Sequence, residues 1–337
     1  MRAIVLDRYG PPERVMHLAE LPDPVPGAGE VTVRIAAVSL NSWDVDLATG
    51  ATLVRLEAPF RPKRRVIGSD VSGTVVAVGP GVTRHSVGDA VFGELSASGW
   101  GGFAEIVSAR EDALVPRPPA LDDLTAAALP QAASMAWQAL GGAEAAAPSG
   151  SLHGRRVLVV GAGGGVGTFA IQLAKRGGAH VTAVERAMWK LDALADLGAD
   201  DVSAGVVDGA ASRHAFDLLL DVIGALAPAQ TNELLADGGR AAYIGGSPRR
   251  IAQVLFASAR ANRQSGQDPR RREAELDRHV ELLAAVPNRD LPEIAALAVT
   301  GELRAFIDGP HPLEQVPQQL ARLQAGAVLG KSVIELG

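Results

Sequence analysis

The sequence predicts an α/β protein in two parts, a β-rich first part and a second part built on a parallel sheet with helices on both faces. Three observations carry this. Short runs rich in Val and Ile, broken by Pro and Gly, fill the chain to about residue 129. Beyond Pro130 the rhythm becomes strand, glycine turn, helix. A length of 337 residues also exceeds one ordinary core, so two domains are expected.

In the first part the strand candidates are "AIVLD", "EVTVRIAAVSL", "VSGTVVAVG" and "AVFGEL", separated by turn chemistry in "PDPVPGAGE", "GPGV" and "VGD". The second part opens with "RRVLVVGAGGGVGTFAIQLAKRGG" and continues through "HVTAVE", "KLDALADLGADDV", "FDLLLDVIG" and "GGRAAYIGGS". Residues 247–278 read as mostly helical and arginine-rich, and "HVELLAAV" as one more strand. After Pro287 come a helix ("LPEIAALAVTG"), a strand ("ELRAFI"), a second helix ("LEQVPQQLARLQAG") and a last strand ("KSVIEL"). The tail from about Asn288 is a candidate return to the first part, although the pattern alone leaves open which part it joins.

The glycine turn is the first chemical signal. "VLVVGAGGGVG" ends an apolar strand and opens directly into a helix, so its backbone can approach a pyrophosphate held at the positive helix N-terminus. The candidates are Gly161, Gly163, Gly164, Gly165, Val166 and Gly167; Ala162 breaks the strict G-x-G-x-x-G spacing. Glu185 ends the next strand about 20 residues on, where a carboxylate accepts from the adenosine ribose and repels a 2′-phosphate. That favours NADH, while Arg186 and Lys190 offer partners for the phosphate of NADPH and leave both open.

Composition excludes several classes. No cysteine is present, so disulfides, thiolate zinc sites and cysteine nucleophiles are ruled out. A net charge of -6 argues against nucleic-acid or anionic-membrane partners. The N-terminus has no apolar signal region and no run is long enough to span a bilayer, so a cytoplasmic location is expected.

Taken together, "NSWDVDLATG" (41–50), "GSDVSGTVVAVGPGVTRHSVGDAVFG" (68–93), "GWGGFAE" (99–105), "LPQAASMAWQAL" (129–140), the glycine turn, "GGRAAYIGGS" (238–247) and "GKSVIEL" (330–336) resemble the zinc-free quinone oxidoreductase branch of the medium-chain dehydrogenase/reductase superfamily. The resemblance implies a discontinuous GroES-like β-rich catalytic domain, residues 1–128 with 288–337, and a Rossmann doubly wound parallel-sheet cofactor domain, residues 129–287. It also implies an active site in the cleft between them, and a homodimer. Zinc members carry a cysteine where this chain has Asn41 and Gly-His-Glu where it has Gly68-Ser69-Asp70, so neither zinc nor flavin is expected. Asp70 is then an acceptor for serine or backbone donors rather than a ligand.

The implied chemistry is hydride transfer from NAD(P)H to an activated acceptor, a quinone or an α,β-unsaturated carbonyl. By resemblance Asn41, Asp44, Trp43 and Trp100 belong to the catalytic end. Ile223, Gly245, Gly246, Ser247 and Lys331 belong to the cofactor site, although Lys331 reads equally well as a surface lysine. Trp137 is expected to be packed and His85 to sit in a surface turn. Met135 replaces a threonine common in the family, and neither Tyr9 nor Tyr243 stands at a family catalytic position. Two other readings compete: a biosynthetic enoyl or ketone reductase for one natural-product intermediate, and a nucleotide-binding protein without turnover. Arg270 to Arg272 read either as part of a solvated helix and loop or as a cationic rim for an anionic or phosphopantetheine-carried substrate.

Overall fold

The structure is a computed structural model that describes residues 1–147, 150–205, 212–265 and 279–336. The chain divides into two compact units, 1–134 with 286–337, and 135–285. The division falls inside the helix Pro130–Leu140 rather than ahead of it.

In the first unit the chain lays down β1 (Arg2–Leu6), β2 (Met16–Glu20), β3 (Glu30–Ser39), β4 (Asp70–Val78), β5 (Ala90–Glu94), β6 (Ile106–Arg110) and β7 (Val115–Pro116). The second unit carries β8 (Arg156–Val160), β9 (His180–Glu185), β10 (Asp201–Ala204), β11 (Phe216–Asp221), β12 (Leu235–Tyr243) and β13 (His279–Leu282). The tail then returns to the first unit with β14 (Ile307–Pro312) and β15 (Lys331–Glu335).

The larger sheet of the first unit runs β14-β15-β3-β4-β5-β7, with β6 also on β3. Long β3 is its spine, and Val31, Val33, Ile35 and Val38 are all buried in one core with Phe103 and Leu114. Three registers place the chemistry: Ser39 lies opposite Asp70, Asp70 opposite Glu94, and Val333 opposite Ser39. Residues opposite each other share a face, so Ser39, Asp70 and Glu94 form a row across three strands.

The second unit holds an all-parallel sheet of order β10-β9-β8-β11-β12-β13. In chain order this is third, second, first, fourth, fifth, sixth, the doubly wound arrangement whose switch point lies between its first and fourth strands. Both glycine-bearing loops of interest leave the carboxyl ends of these strands, where such sheets bind ligands.

Two expectations change. The strand expected at "ELRAFI" begins only at Ile307 and runs through Pro310 and Pro312. Proline cannot donate to a ladder, but β14 is an edge strand with one neighbour, so the missing donors cost little. His85 is not a surface residue: it is 6% exposed, with Nε2 3.0 Å from the Glu111 carbonyl. Arg270 to Arg272 lie outside the described residues. No helix among the described residues is long and apolar enough to cross a membrane.

Candidate active site

The helix Ser42–Thr49 starts at Asn41, whose backbone N–H donates to Asp44 Oδ2 at 2.8 Å. Gly50 closes it in the left-handed conformation, φ 68°, where a side chain would be strained. This short helix therefore fixes Asn41, Trp43 and Asp44 together. Asn41 and Asp44 are buried, and Trp43 is half-buried.

Lys331, the first residue of β15, is 2% exposed and so is not a surface lysine. Its Nζ donates to Asn41 Oδ1 at 2.5 Å and to Asp70 Oδ2 at 3.2 Å. An ammonium accepts nothing, so the Asn41 amide must present its oxygen to Lys331 and its NH₂ elsewhere. One of those protons points at Ser69 Oγ, 3.4 Å away. Asp70, fully buried, also accepts from Ser69 Oγ at 3.1 Å, Ser39 Oγ at 3.5 Å and the Gln131 N–H at 3.2 Å. The serine and backbone donors match the sequence reading of Asp70. The lysine was not foreseen as its partner.

Two further carboxyls sit in this field. Burial pushes Asp44 up to about 8, with the Asp70 charge adding to the rise and the Asn41 N–H and Lys331 opposing it. Glu94, beside Asp70 across the strands, is raised to about 7, again first by burial and then by Asp70. A group near 7 to 8 changes charge in the range where enzymes work. Four buried polar atoms nearby have no hydrogen-bond partner among the described residues: Trp43 Nε1, Asp44 Oδ1, Gln131 Nε2 and Ser134 Oγ. Unsatisfied groups at such density call for a ligand or water. Glu94, Gln131 and Ser134 were missed as site residues, because nothing in their local sequence distinguishes them.

A cavity of about 420 Å³ opens on the other side of Trp43. Trp43 and Trp100 form an edge-to-face pair across one wall, centroids 4.6 Å apart at 62°. Tyr9, Leu47, Leu53 and Ile67 supply more apolar lining. Trp100 is held at φ 73° between Gly99 at 104° and Gly101 at 106°, a left-handed run that is costly for tryptophan and persists because the surroundings fix it. Ser96 links this cavity to the buried network, since it lines the cavity and its hydroxyl donates to Glu94 Oε1.

In the second unit the glycine turn joins β8 directly to a helix. Gly161 takes φ 79°, and a Cβ on Gly167 would stand 2.4 Å from the Ala162 carbonyl oxygen, so that glycine is required for the helix to pack on its strand. The helix Gly165–Arg176 begins after Gly164 with no side-chain cap, which leaves Gly165, Val166 and Gly167 presenting N–H groups as an anion site requires. Glu185 accepts from the Gly163 N–H at 2.9 Å and from the N–H groups of Arg186 and Ala187 at 2.8 and 3.1 Å. Lys190 is 3% exposed; burial lowers its pKa while Glu185 opposes. Arg186 alone of the three is exposed.

The opposite side of the turn is set by Ile223, packed on Gly161, and by Asp221, which accepts from the N–H groups of Ala225 and Leu226 at 3.0 and 2.8 Å. Gly245 and Gly246 lie so close to Gly224 that a Cβ there would meet them at 2.7 and 2.6 Å. Ser247 Oγ accepts from the Arg250 N–H at 3.2 Å. The uncapped helix start and the carboxylate beside it fit a dinucleotide.

Zinc does not fit. Where the resemblance puts metal ligands, Asn41 and Asp70 hold a lysine ammonium, Ser69 bonds to both of them, and no His/Cys/Asp/Glu cluster that could hold a metal ion is found among the described residues. Trp137 is packed at 5% exposure, as expected.

Comparison with known proteins adds an independent line. The family model described as "Alcohol dehydrogenase GroES-like domain" matches residues 27–119, and that described as "Zinc-binding dehydrogenase" matches residues 165–265. A chloroplastic quinone-oxidoreductase QR1 of Triphysaria versicolor is 32% identical over 99% of this chain and 98% of its own. The human mitochondrial NAD(P)H oxidoreductase RTN4IP1 is 30% identical over 100% of this chain and 89% of its own. The solved quinone oxidoreductase of Coxiella burnetii superposes with a TM-score of 0.84 at 26% identity, covering 100% of this chain and 99% of its own.

Proposed function

Because the chain belongs to the medium-chain dehydrogenase/reductase superfamily, we propose that it is a zinc-independent, NAD(P)H-dependent oxidoreductase that reduces a quinone or an α,β-unsaturated carbonyl. The observation that carries this reading is the buried Lys331–Asp70 pair bonded to Asn41. A fixed ammonium stands where a metal dication would have to go, so the chemistry is limited to acceptors that need no Lewis acid. The names of the quinone and NAD(P)H oxidoreductase relatives support the same class.

A bound dihydronicotinamide supplies the hydride. The protein's residues do the rest. The uncapped turn at Gly164 to Gly167 would hold the pyrophosphate, and Glu185 would accept from ribose hydroxyls. Trp43 and Trp100 offer flat walls to a planar acceptor and keep water from it. Lys331 orients Asn41 so that its NH₂ is available to an oxygen that gains negative charge. Asp44, raised to about 8, keeps its proton at neutral pH and leaves the network one negative charge lighter. The acceptor takes up one hydride and one solvent proton. On the resemblance we also propose a homodimer, which light scattering would read directly.

The test is cofactor oxidation at 340 nm with NADH and NADPH separately, against phenanthrenequinone and a panel of enones, with and without EDTA. Turnover undiminished by EDTA supports the proposal. Nucleotide binding without oxidation on every acceptor refutes it and leaves a binding protein.

A further inference from the structure

Reduction of the acceptor takes a proton as well as a hydride, and a donor fixed at the cavity beside Trp43 and Trp100 would accelerate that transfer. The cavity wall offers few. The Tyr9 hydroxyl already donates to the Ala58 carbonyl at 2.8 Å, Glu57 and Lys63 are exposed, and Arg64 keeps its proton at any working pH. Ser96 differs, because it lines the cavity while its hydroxyl bonds to Glu94 Oε1. A serine alone is a poor acid, but it can hand on a proton when a carboxyl behind it replaces the one it gives.

Glu94 ends β5 at 4% exposure, and among the described residues it has no ion-pair partner. Burial favours its protonated form and Asp70, opposite it on β4, adds to that, while the Ser96 bond and Lys331 oppose. Asp123, on the helix packed against β5, is taken by Arg117 at 3.2 Å. The Glu94 backbone is clamped by the returning tail: Asn288 Oδ1 accepts from its N–H at 2.7 Å, and Asn288 Nδ2 donates to the Glu94 and Ala113 carbonyls at 2.9 and 3.1 Å. The turn Ser96–Ser98 is fixed through Leu95, whose N–H donates to the Ser69 carbonyl at 2.9 Å and whose carbonyl accepts from Ser98 and Trp100 at 2.8 and 3.1 Å. The bonds that hold Ser96 in place therefore hold Trp100 as well.

We propose that Glu94 and Ser96 form a proton relay to the reduced acceptor, with Ser96 touching it in the cavity and Glu94 resupplying Ser96. This rests on the hydride-transfer reading and adds the route of its proton. When hydride adds to the acceptor, a π pair moves onto the carbonyl oxygen and gives an enolate or a hydroquinone monoanion. The Ser96 O–H bond breaks as a C–H or O–H bond forms on that anion, and the Glu94 O–H bond breaks as the Ser96 hydroxyl is restored. Glu94 is left as a carboxylate. Once product leaves, water entering the cavity returns a proton through Ser96, so solvent remains the ultimate source and nothing else is consumed.

The experiment follows kcat for NAD(P)H oxidation from pH 5.5 to 9 with phenanthrenequinone and with 2-cyclohexenone, in the wild type, Glu94→Gln, Ser96→Ala and the double variant. Glu94→Gln keeps an acceptor for Ser96, and Ser96→Ala, at a half-buried turn, gives the same reading should Glu94→Gln fail to fold. In the wild type kcat is flat at low pH and falls above about 7, where Glu94 loses its proton. Each single variant lowers kcat at pH 6 on the order of 10²-fold, leaves KM within about twofold and abolishes the fall. The double variant loses no more than either single one, since a relay fails whole when one member is missing. Asp44 titrates at about 8, so a fall that persists in Glu94→Gln belongs to it and overturns the proposal. Single variants with wild-type kcat, or losses that multiply in the double variant, overturn it too. Activity in the wild type with unaffected variants removes the relay alone. If the wild type oxidises NAD(P)H with neither acceptor, the hydride-transfer reading falls and the relay falls with it.

Discussion

Replacing Lys331 with Met removes the cation from a carboxylate that is 0% exposed. Asp70 would keep its Ser69, Ser39 and Gln131 donors but would hold an uncompensated buried charge. Removing one partner of such a pair costs about 3–5 kcal/mol. At about 2–4 °C per kcal/mol for a domain of this size, the transition of the first unit should fall by about 6–20 °C. Lys331→Met/Asp70→Asn removes the stranded charge as well, so a coupling of at least about 2 kcal/mol is expected between the two sites. Urea unfolding of a Trp137→Phe/Trp189→Phe background isolates the emission of Trp43 and Trp100, which lie in the same unit as the pair. A loss below about 1 kcal/mol in Lys331→Met, or additivity in the double variant, would refute the claim that this ion pair organises the site.

The raised Asp44 gives a signed pH dependence. Between the ordinary value of 3.8 and about 8, the folded protein keeps a proton that the unfolded chain has released, so stability falls as pH rises through this window and levels above it. Asp44→Asn should flatten that slope in denaturation midpoints taken from pH 4 to 9; an unchanged slope would assign it to other groups. Gly167→Ala forces a methyl onto the Ala162 carbonyl oxygen and should destabilise the second unit by at least about 2 kcal/mol, read by calorimetry. Glu185→Gln removes the negative charge at the ribose position, and the NADPH to NADH ratio of kcat/KM should rise severalfold. A ratio that stays constant would mean that Arg186 and Lys190 set the preference.

The strands and the glycine turn were legible because they depend on local order: Val and Ile in short runs, and glycines where a strand becomes a helix. The β14 strand was misplaced because its two prolines argue against a strand to any local rule, and only its edge position excuses them. His85 was misjudged because turn residues surround it in sequence while Glu111, 26 residues on, covers it in space. The core of the candidate site was half legible. Asn41, Asp44 and Trp43 share one short motif, but Lys331 meets Asp70 across 261 positions, and that meeting is a product of the β15-β3-β4 register.

The position of Lys331 on a late strand also orders events on the ribosome. The second unit is one uninterrupted stretch, so it can close while the chain is still emerging, at about 5–20 residues per second. The first unit waits. Until β15 is delivered, β3 keeps an open edge at Ala37–Ser39 and Asp70 lacks its cation, so a nascent chain halted before that strand carries both an unpaired strand end and a charge with no counterpart. Maturation of the acceptor side is thereby timed to the arrival of a single side chain, and a translation-arrest series bracketing Lys331 would show protease resistance of the first unit appearing in one step.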